Sequence, residues 1–357
     1  MLFKARPGYT FIGADLGQQE PRVMAYLSRD QKLIEAFKEK KDIYAIVAQS
    51  YEGNSYEDNL EFHSDGTIYK DGKKRRKKAK TVLLASMYGM SGATLASRLG
   101  VNKAEGIEKL DAFFSYFSGV KQVIEQSVDM CKDFGYIEDI KGRRRRLDDI
   151  QLPLFELYYK TNPSVNQDNP DAMIATLLNR LRDPKLTYNG IKKILSEASS
   201  QGLIARTHKQ RIMRAERQCF NARIQGSSAT MTKKLMLELD KDPELLSYGA
   251  HLLLQVHDEV LLECPLEYAE EASARLKFMM ENACRYVGID IPMVCDATIE
   301  ERWGEGSMTA DILERYSELE SGSNISNPLE TLCEEFAEFP KESIVNLIKG
   351  SINVIKF

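Results

Sequence analysis

The stretch Leu252–Glu263 reads LLLQVHDEVLLE, two apolar runs with His257, Asp258 and Glu259 between them. Two carboxylates and an imidazole at such a centre can hold a cation, move a proton, or simply face water. Apolar strands are buried, so these acids stand at the rim of a core. There they repel each other unless a cation lies beside them. A solvated turn is the plain alternative, and this stretch alone does not decide between the two. A further carboxylate, Asp15, closes the apolar run YTFIGADL at 9–16. It falls at a strand-to-helix junction, where ligand-contacting residues of α/β folds often lie and where helix caps are also common.

A second set of residues suggests phosphate and base contacts. Arg76, Lys80, Leu84 and Tyr88 follow each other at intervals of four. Each step of four turns a helix by about 400°, so the set drifts by only about 120°. It forms a stripe about 18 Å long at the standard helical rise, close to the length of an extended nucleotide. Gly89 then ends the helix beside Tyr88, an aromatic able to stack on a base. A third set, Arg217, Asn221 and Gln225, repeats the four-residue spacing. Its hydrogen-bonding groups suit base edges and minor-groove acceptors.

The elements that must position these residues follow from periodicity. Residues 9–16 predict a buried strand, and Glu20 to Phe37 a helix with Pro21 in its first turn. Residues 52–72 are polar and predict an inserted surface hairpin turning at Asp65-Gly66. Residues 103–134 read as helical with an aromatic core, and 135–150 as a hairpin around Lys141-Gly142. Arg143 to Arg146 in that hairpin suit a phosphate backbone. Residues 151–209 are punctuated by prolines, with helices expected near 171–182 and 190–200. Residues 211–240 form a helical stretch, interrupted in this reading at Gly226-Ser227-Ser228. After the 252–263 hairpin come an amphipathic helix over 266–287 and a strand over 291–299 that leads to Trp303. The acidic tail past Gly306 predicts one or two peripheral helices.

Bulk properties limit the function classes. The chain has 357 residues and a formal net charge of −4, which argues against a simple basic coat for nucleic acid but allows a local basic cleft. Six scattered cysteines form no CxxC pair, so neither a disulfide framework nor a zinc site is expected. No apolar run nears the roughly 18 residues of a membrane span, and no secretory signal opens the chain. A reducing cytoplasm is the expected compartment.

Three stretches, in order, resemble one family. DLGQQEPR (15–22), RKKAKTVLLASMYGMS (76–91) and QVHDEV (255–260) are similar to motifs A, B and C of family A DNA polymerases. That group includes bacterial DNA polymerase I and many phage replicases. The helix carrying Arg217, Asn221 and Gln225 resembles the family helix that precedes motif C. The resemblance implies an α+β fold, a right-hand palm of antiparallel sheet with helices plus mostly helical fingers. The palm would comprise residues 1–27 and 211–303, the fingers 28–210 with insertions 52–72 and 151–209, and 304–357 an acidic extension. Thumb and exonuclease domains are expected to lie outside this chain, either on a separate partner chain, as in a split phage gene, or on a longer protein of which this chain is a truncated piece.

The resemblance also implies template-directed DNA synthesis from dNTPs on a primer-template, with two Mg2+ ions. Asp15 and Asp258 would be the metal ligands, assisted by the backbone carbonyl of Leu16. Glu259 would support them, and His257 would lie near the primer terminus. Arg76 and Lys80 would grip the triphosphate, with Lys80 a proton donor to the departing pyrophosphate. Gln18, Leu84 and Tyr88 would complete the dNTP site, Tyr88 at the templating position. Glu20 would exclude a ribose 2′-hydroxyl. Arg217, Asn221 and Gln225 would follow the minor groove of primer-template. Leu84 stands where the family usually has Phe or Tyr, Ala85 replaces a usual Gly, and Tyr44 replaces a frequent histidine. Two other readings are a non-catalytic DNA-binding or accessory remnant and an RNA polymerase on the same scaffold. Retention of both aspartates, Arg76 and Lys80 argues against the first, and Glu20 against the second.

Overall fold

The structure is a computed structural model that describes residues 3–63, 66–159, 170–183, 185–304 and 327–336, with single positions between 312 and 348. In chain order it begins with β1 (Tyr9–Leu16), α1 (Gln19–Ser28), α2 (Gln31–Lys38), α3 (Ile43–Glu52), α4 (Lys70–Met87), α5 (Gly92–Leu99), α6 (Lys103–Tyr116) and α7 (Ser118–Phe134). The hairpin β2 (Tyr136–Glu138) and β3 (Arg144–Arg146) follows, then β4 (Phe155–Tyr159), α8 (Pro170–Leu181), α9 (Tyr188–Ser200) and β5 (Leu203–Thr207). The long α10 (Lys209–Leu239) leads to α11 (Pro243–Ser247), β6 (His251–Val256), β7 (Glu259–Pro265), α12 (Ala269–Glu281), α13 (Ala283–Val287), β8 (Cys295–Glu300) and α14 (Pro328–Glu335). The expected α+β class, an antiparallel sheet with helices plus a mostly helical portion, is what is found.

The chain divides into two compact units. The first holds residues 1–19, 231–288 and 292–357 and is built on a four-stranded sheet in the order β6-β7-β1-β8. All its pairings are antiparallel. β1 is central, and Thr10 to Ala14 and Leu16 are buried, which explains its continuous apolar sequence. α12 lies against β1 and β8 through a buried face of Ala272, Leu276, Met279 and Met280. β6 differs from expectation. It is the edge strand, with Leu253 and Val256 exposed, and its register shifts between Leu252 and Leu254. Its apolar sequence is therefore only half used, and the bulge places Leu253 outside the ladder. In the tail, α14 joins a small core of Ile312, Leu319, Leu332, Cys333, Ile344 and Ile348.

The second unit holds residues 20–230 and 289–291. The single helix expected over 20–37 is two helices. Arg29 takes a left-handed φ of 50°, and Asp30 then caps α2, one carboxylate oxygen accepting the Leu33 N–H at 3.3 Å. The other oxygen accepts the Gly119 N–H at 3.0 Å, next to the break at Phe117 that divides 103–134 into α6 and α7. The 52–72 segment forms a small antiparallel bridge between Phe62 and Ile68 as expected, but Asp65 of its turn lies outside the described residues. The 135–150 hairpin is present. Asp139 organises its turn, accepting N–H groups of Lys141 at 2.8 Å and Arg143 at 2.9 Å.

The interruption expected at Gly226-Ser227-Ser228 is absent, and α10 runs unbroken. Ser227 and Ser228 are buried, Ser227 accepting the Ile140 N–H at 3.1 Å, and Thr230 donates to Asp139 at 2.5 Å. At Gly226 an added Cβ would lie 3.3 Å from the Cβ of Asp139. Small residues here mark a close approach of the hairpin, not a helix end. The helix expected over 266–287 is likewise divided, at Asn282, into α12 and α13.

Residues of the 155–207 segment gather around a hydrophobic core of their own. α8 and α9 match the expected helices, and they cover an unanticipated two-stranded sheet, β4 with β5. Its core comprises Leu157, Leu177, Leu181, Ile194, Ala198 and Leu203. The module leaves and returns at one point, where the His208 N–H donates to the Leu154 carbonyl at 3.1 Å.

Candidate active site

Asp15 is the last but one residue of β1, and the sheet register determines its company. It lies directly opposite Glu259 of β7 on one side and Asp296 of β8 on the other. Directly paired residues of antiparallel strands share a face. Three carboxylates therefore stand in a row across the end of the sheet. Asp258 joins them from the β6–β7 turn, its carboxyl within hydrogen-bonding reach of that of Asp15. The turn is tight: His257 has a left-handed φ of 56°, and the Asp258 carbonyl accepts the Leu16 N–H at 3.4 Å. The Gln255 side-chain amide donates to the His257 carbonyl.

This crowding raises the pKa of Asp15 from 3.8 to about 6. Removal from water is the largest cause, followed by the charge of Asp258, the hydrogen bond to it, and the charges of Glu259 and Asp296. The side chain is open to solvent, yet protein groups surround it closely enough to disfavour its charge. Like charges directly opposed in a sheet destabilise it. Such an arrangement is relieved by a proton or by a cation. Glu259 is drawn aside, its carboxylate accepting the Trp303 indole N–H at 2.8 Å. Sequence reasoning singled out neither Asp296 nor Trp303. Asp296 has no motif around it, and only the strand register shows that it faces Asp15.

The donor set fits a hard divalent cation. Asp15 and Asp258 supply oxygen ligands, and Mg2+ is commonly held by one or two carboxylates with substrate phosphates and water completing the shell. Among the described residues no larger group of carboxylate, imidazole and thiol ligands converges to make an all-protein cage.

In the second unit, Glu20 and Tyr88 meet: the Tyr88 hydroxyl donates to a Glu20 carboxylate oxygen at 3.2 Å, and Gln225 also hydrogen-bonds Tyr88. Burial first, then the Glu20 charge, pushes the Tyr88 hydroxyl above its ordinary range. Gly89, with φ 59°, allows α10 to come close, since a Cβ there would lie 3.1 Å from Cα, Cβ and Cγ of Arg217. Along one stripe of α10 Arg217 and Gln225 are exposed and Asn221 is half-buried, while Ala215, Cys219, Phe220 and Ile224 are buried. Lys80 is exposed on α4, and Leu84 is half-buried.

Arg76 is engaged by acids that sequence reasoning did not anticipate. Asp42 accepts from its Nε at 2.5 Å, Glu61 lies 3.5 Å from Nη1, and the guanidinium sits 4.9 Å from the centre of the Tyr44 ring. Glu61 belongs to the 52–72 insertion. That segment is fitted closely to α4, since a Cβ on Gly72 would lie 1.8 Å from the Leu60 carbonyl oxygen. Gln18, at the β1–α1 junction, has φ 58°. Its neighbour Gln19 is buried and donates to the Thr232 hydroxyl at 2.9 Å. No described helix is long and apolar enough to cross a membrane.

Comparison with known proteins identifies the family. The model of DNA polymerase family A matches residues 1–305. The thermostable DNA polymerase I of Thermus filiformis is 31% identical over 303 residues, covering 85% of this chain and 28% of that protein. DNA polymerase I of Chloroflexus aurantiacus is 27% identical over 308 residues, covering 86% of this chain and 25% of that protein. The chain thus spans about a quarter of the length of these curated relatives. Among solved structures, the polymerase domain of Pol1 from M. smegmatis, in complex with DNA primer-template and dNTP, shares the fold. The TM-score is 0.61 at 24% identity, covering 85% of this chain and 42% of that one. On the family match, which spans both carboxylate-bearing strands and the α4 and α10 helices, the chain belongs to DNA polymerase family A.

Proposed function

We propose that the chain carries the nucleotidyl-transfer centre of a DNA-directed DNA polymerase, extending a primer 3′-hydroxyl on a template from dNTPs, in replication. The observation that carries this reading is the Asp15–Asp258 pair, two carboxyls within hydrogen-bonding reach at the end of one sheet. Asp15, Asp258 and the Leu16 carbonyl would hold two Mg2+ ions. When bound, the ions acidify the attacking hydroxyl and stabilise the leaving pyrophosphate. The protein residues do the rest. Arg76 and Lys80 receive the triphosphate, Arg76 leaving the acids that now hold it. Lys80, an exposed ammonium, neutralises the departing pyrophosphate and donates a proton to it. Gln18 and Leu84 line the nucleotide site.

Glu20 places a carboxylate against the sugar, where it excludes a 2′-hydroxyl, and the Tyr88 hydrogen bond holds it there. Tyr88 itself faces the templating base. Arg217, Asn221 and Gln225 donate to minor-groove acceptors, which are alike for all correct pairs. His257, held in a left-handed turn, approaches the primer terminus. Residues 1–27 and 211–303 act as the palm, 28–210 as the fingers and 304–357 as an appendage.

Primer extension by wild type and Asp258→Ala tests the proposal. Loss of extension with retained DNA binding supports it. Equal activity of the two proteins refutes it, and preference for NTPs over dNTPs would favour RNA synthesis.

A further inference from the structure

Glu259 stands opposite Asp15 on β7, as Asp296 does on β8, and its carboxylate is engaged by a donor of its own. Its Oε1 accepts the Trp303 indole N–H at 2.8 Å and lies beside Gly13, 3.6 Å from where a Cβ would be. The Glu259 carboxylate therefore lies over the β1 backbone at Gly13, at ordinary contact distance. An indole N–H can only donate, and a carboxylate gives it a charge-assisted bond. Trp303 is itself fixed from behind. Its ring lies 6.1 Å from that of Phe3, its backbone N–H donates to the Phe3 carbonyl, and it packs on Ala5, Phe11 and Leu261. The donor is thus rigid, while the glutamate is long enough to reach either way.

We propose that Trp303 is a positioning residue for Glu259, holding this carboxylate beside Gly13 and out of the Asp15–Asp258 metal site. The proposal rests on Asp15 and Asp258 being metal ligands. Its consequence is that ligand positions stay open for substrate oxygens. The Glu259 carboxylate would occupy one of them and bind the cation in the absence of nucleotide.

The test is direct binding of Mn2+ to the full chain without DNA or nucleotide, at mildly alkaline pH. Trp303→Phe keeps a ring in place and removes the N–H. It is expected to bind Mn2+ at least about threefold more tightly than wild type, and the gain is expected to vanish in Trp303→Phe combined with Glu259→Gln. Unchanged affinity in Trp303→Phe, or a gain that persists without the Glu259 charge, overturns the proposal. The paired variant Asp15→Asn with Asp258→Asn separates the two readings: Mn2+ binding that survives both changes refutes the metal site itself. A second measurement needs no change at Trp303, the only tryptophan of the chain. Glu259→Ala is expected to shift its emission, whereas Glu259→Gln, which still offers an acceptor, retains it. Identical emission in wild type and Glu259→Ala also overturns the proposal.

Discussion

In the absence of metal, Asp15→Asn is expected to make the protein more stable while abolishing primer extension. Asp15 has its pKa raised from 3.8 to about 6 by burial and by Asp258, Glu259 and Asp296. If unscreened, that rise corresponds to about 3 kcal/mol of native-state destabilisation when the group is charged. The side chain is open to solvent, so screening reduces the figure to about 1 kcal/mol. The sign follows from proton linkage. The folded carboxyl binds its proton more tightly than the unfolded one, so wild-type stability falls as pH rises from about 4 to about 6. Above that window the deficit is complete. Asparagine cannot ionise and escapes it. Urea unfolding of both proteins in chelator, across about pH 4 to pH 8, measures the effect. Asp15→Asn should exceed wild type by about 1 kcal/mol at the alkaline end, with the gap closing toward pH 4. Adding Mg2+ should raise wild-type stability and leave the variant nearly unmoved. A variant no more stable than wild type at pH 8, or a gap that ignores pH, would refute the charge-crowding argument.

Three further outcomes are expected. Glu61→Gln weakens the hold on Arg76, whose Nη1 lies 3.5 Å from Glu61. Steady-state kinetics should show the KM for dNTP falling by about two- to threefold with kcat retained, the scale of one partly exposed ion pair. Asp139→Ala removes a buried carboxylate that accepts from Lys141, Arg143 and Thr230. It should cost about 2–4 kcal/mol in urea unfolding and flatten the salt dependence of DNA binding through Arg143 to Arg146. Gly72→Ala drives a methyl group into the Leu60 carbonyl, 1.8 Å away. Limited proteolysis within residues 53–63 should become faster, because the segment must lift from α4.

Much of this architecture was legible from local pattern. β1 and the β6–β7 hairpin declared themselves as apolar runs ending in acids, and the four-residue spacings of α4 and α10 showed which side chains share a stripe. The failures share one physical cause: the deciding contact is distant in sequence. Asp30 looks like any polar helix residue until Gly119 donates to it. Gly226-Ser227-Ser228 looks like a helix end until Asp139 and Ile140 are seen against it. β6 has the composition of a core strand, but among the described residues no strand pairs with its outer edge. Asp296 carries no signal of its own, because its importance comes from the register that sets it opposite Asp15. Trp303 and Glu61 act through partners that are likewise out of view in the linear chain.

The closed entry of the 155–207 module bears on how this chain could change over time. Leu154 and His208 are hydrogen-bonded neighbours, and described residues between them share a core of their own. Loop-closure entropy grows only slowly with length. Replacing the module by a short glycine turn would therefore preserve the ends that the rest of the fold must meet. Gaining or losing it is a single step with little penalty to the host. The segment can acquire or shed properties of its own while the carboxylate-bearing sheet stays under a separate constraint.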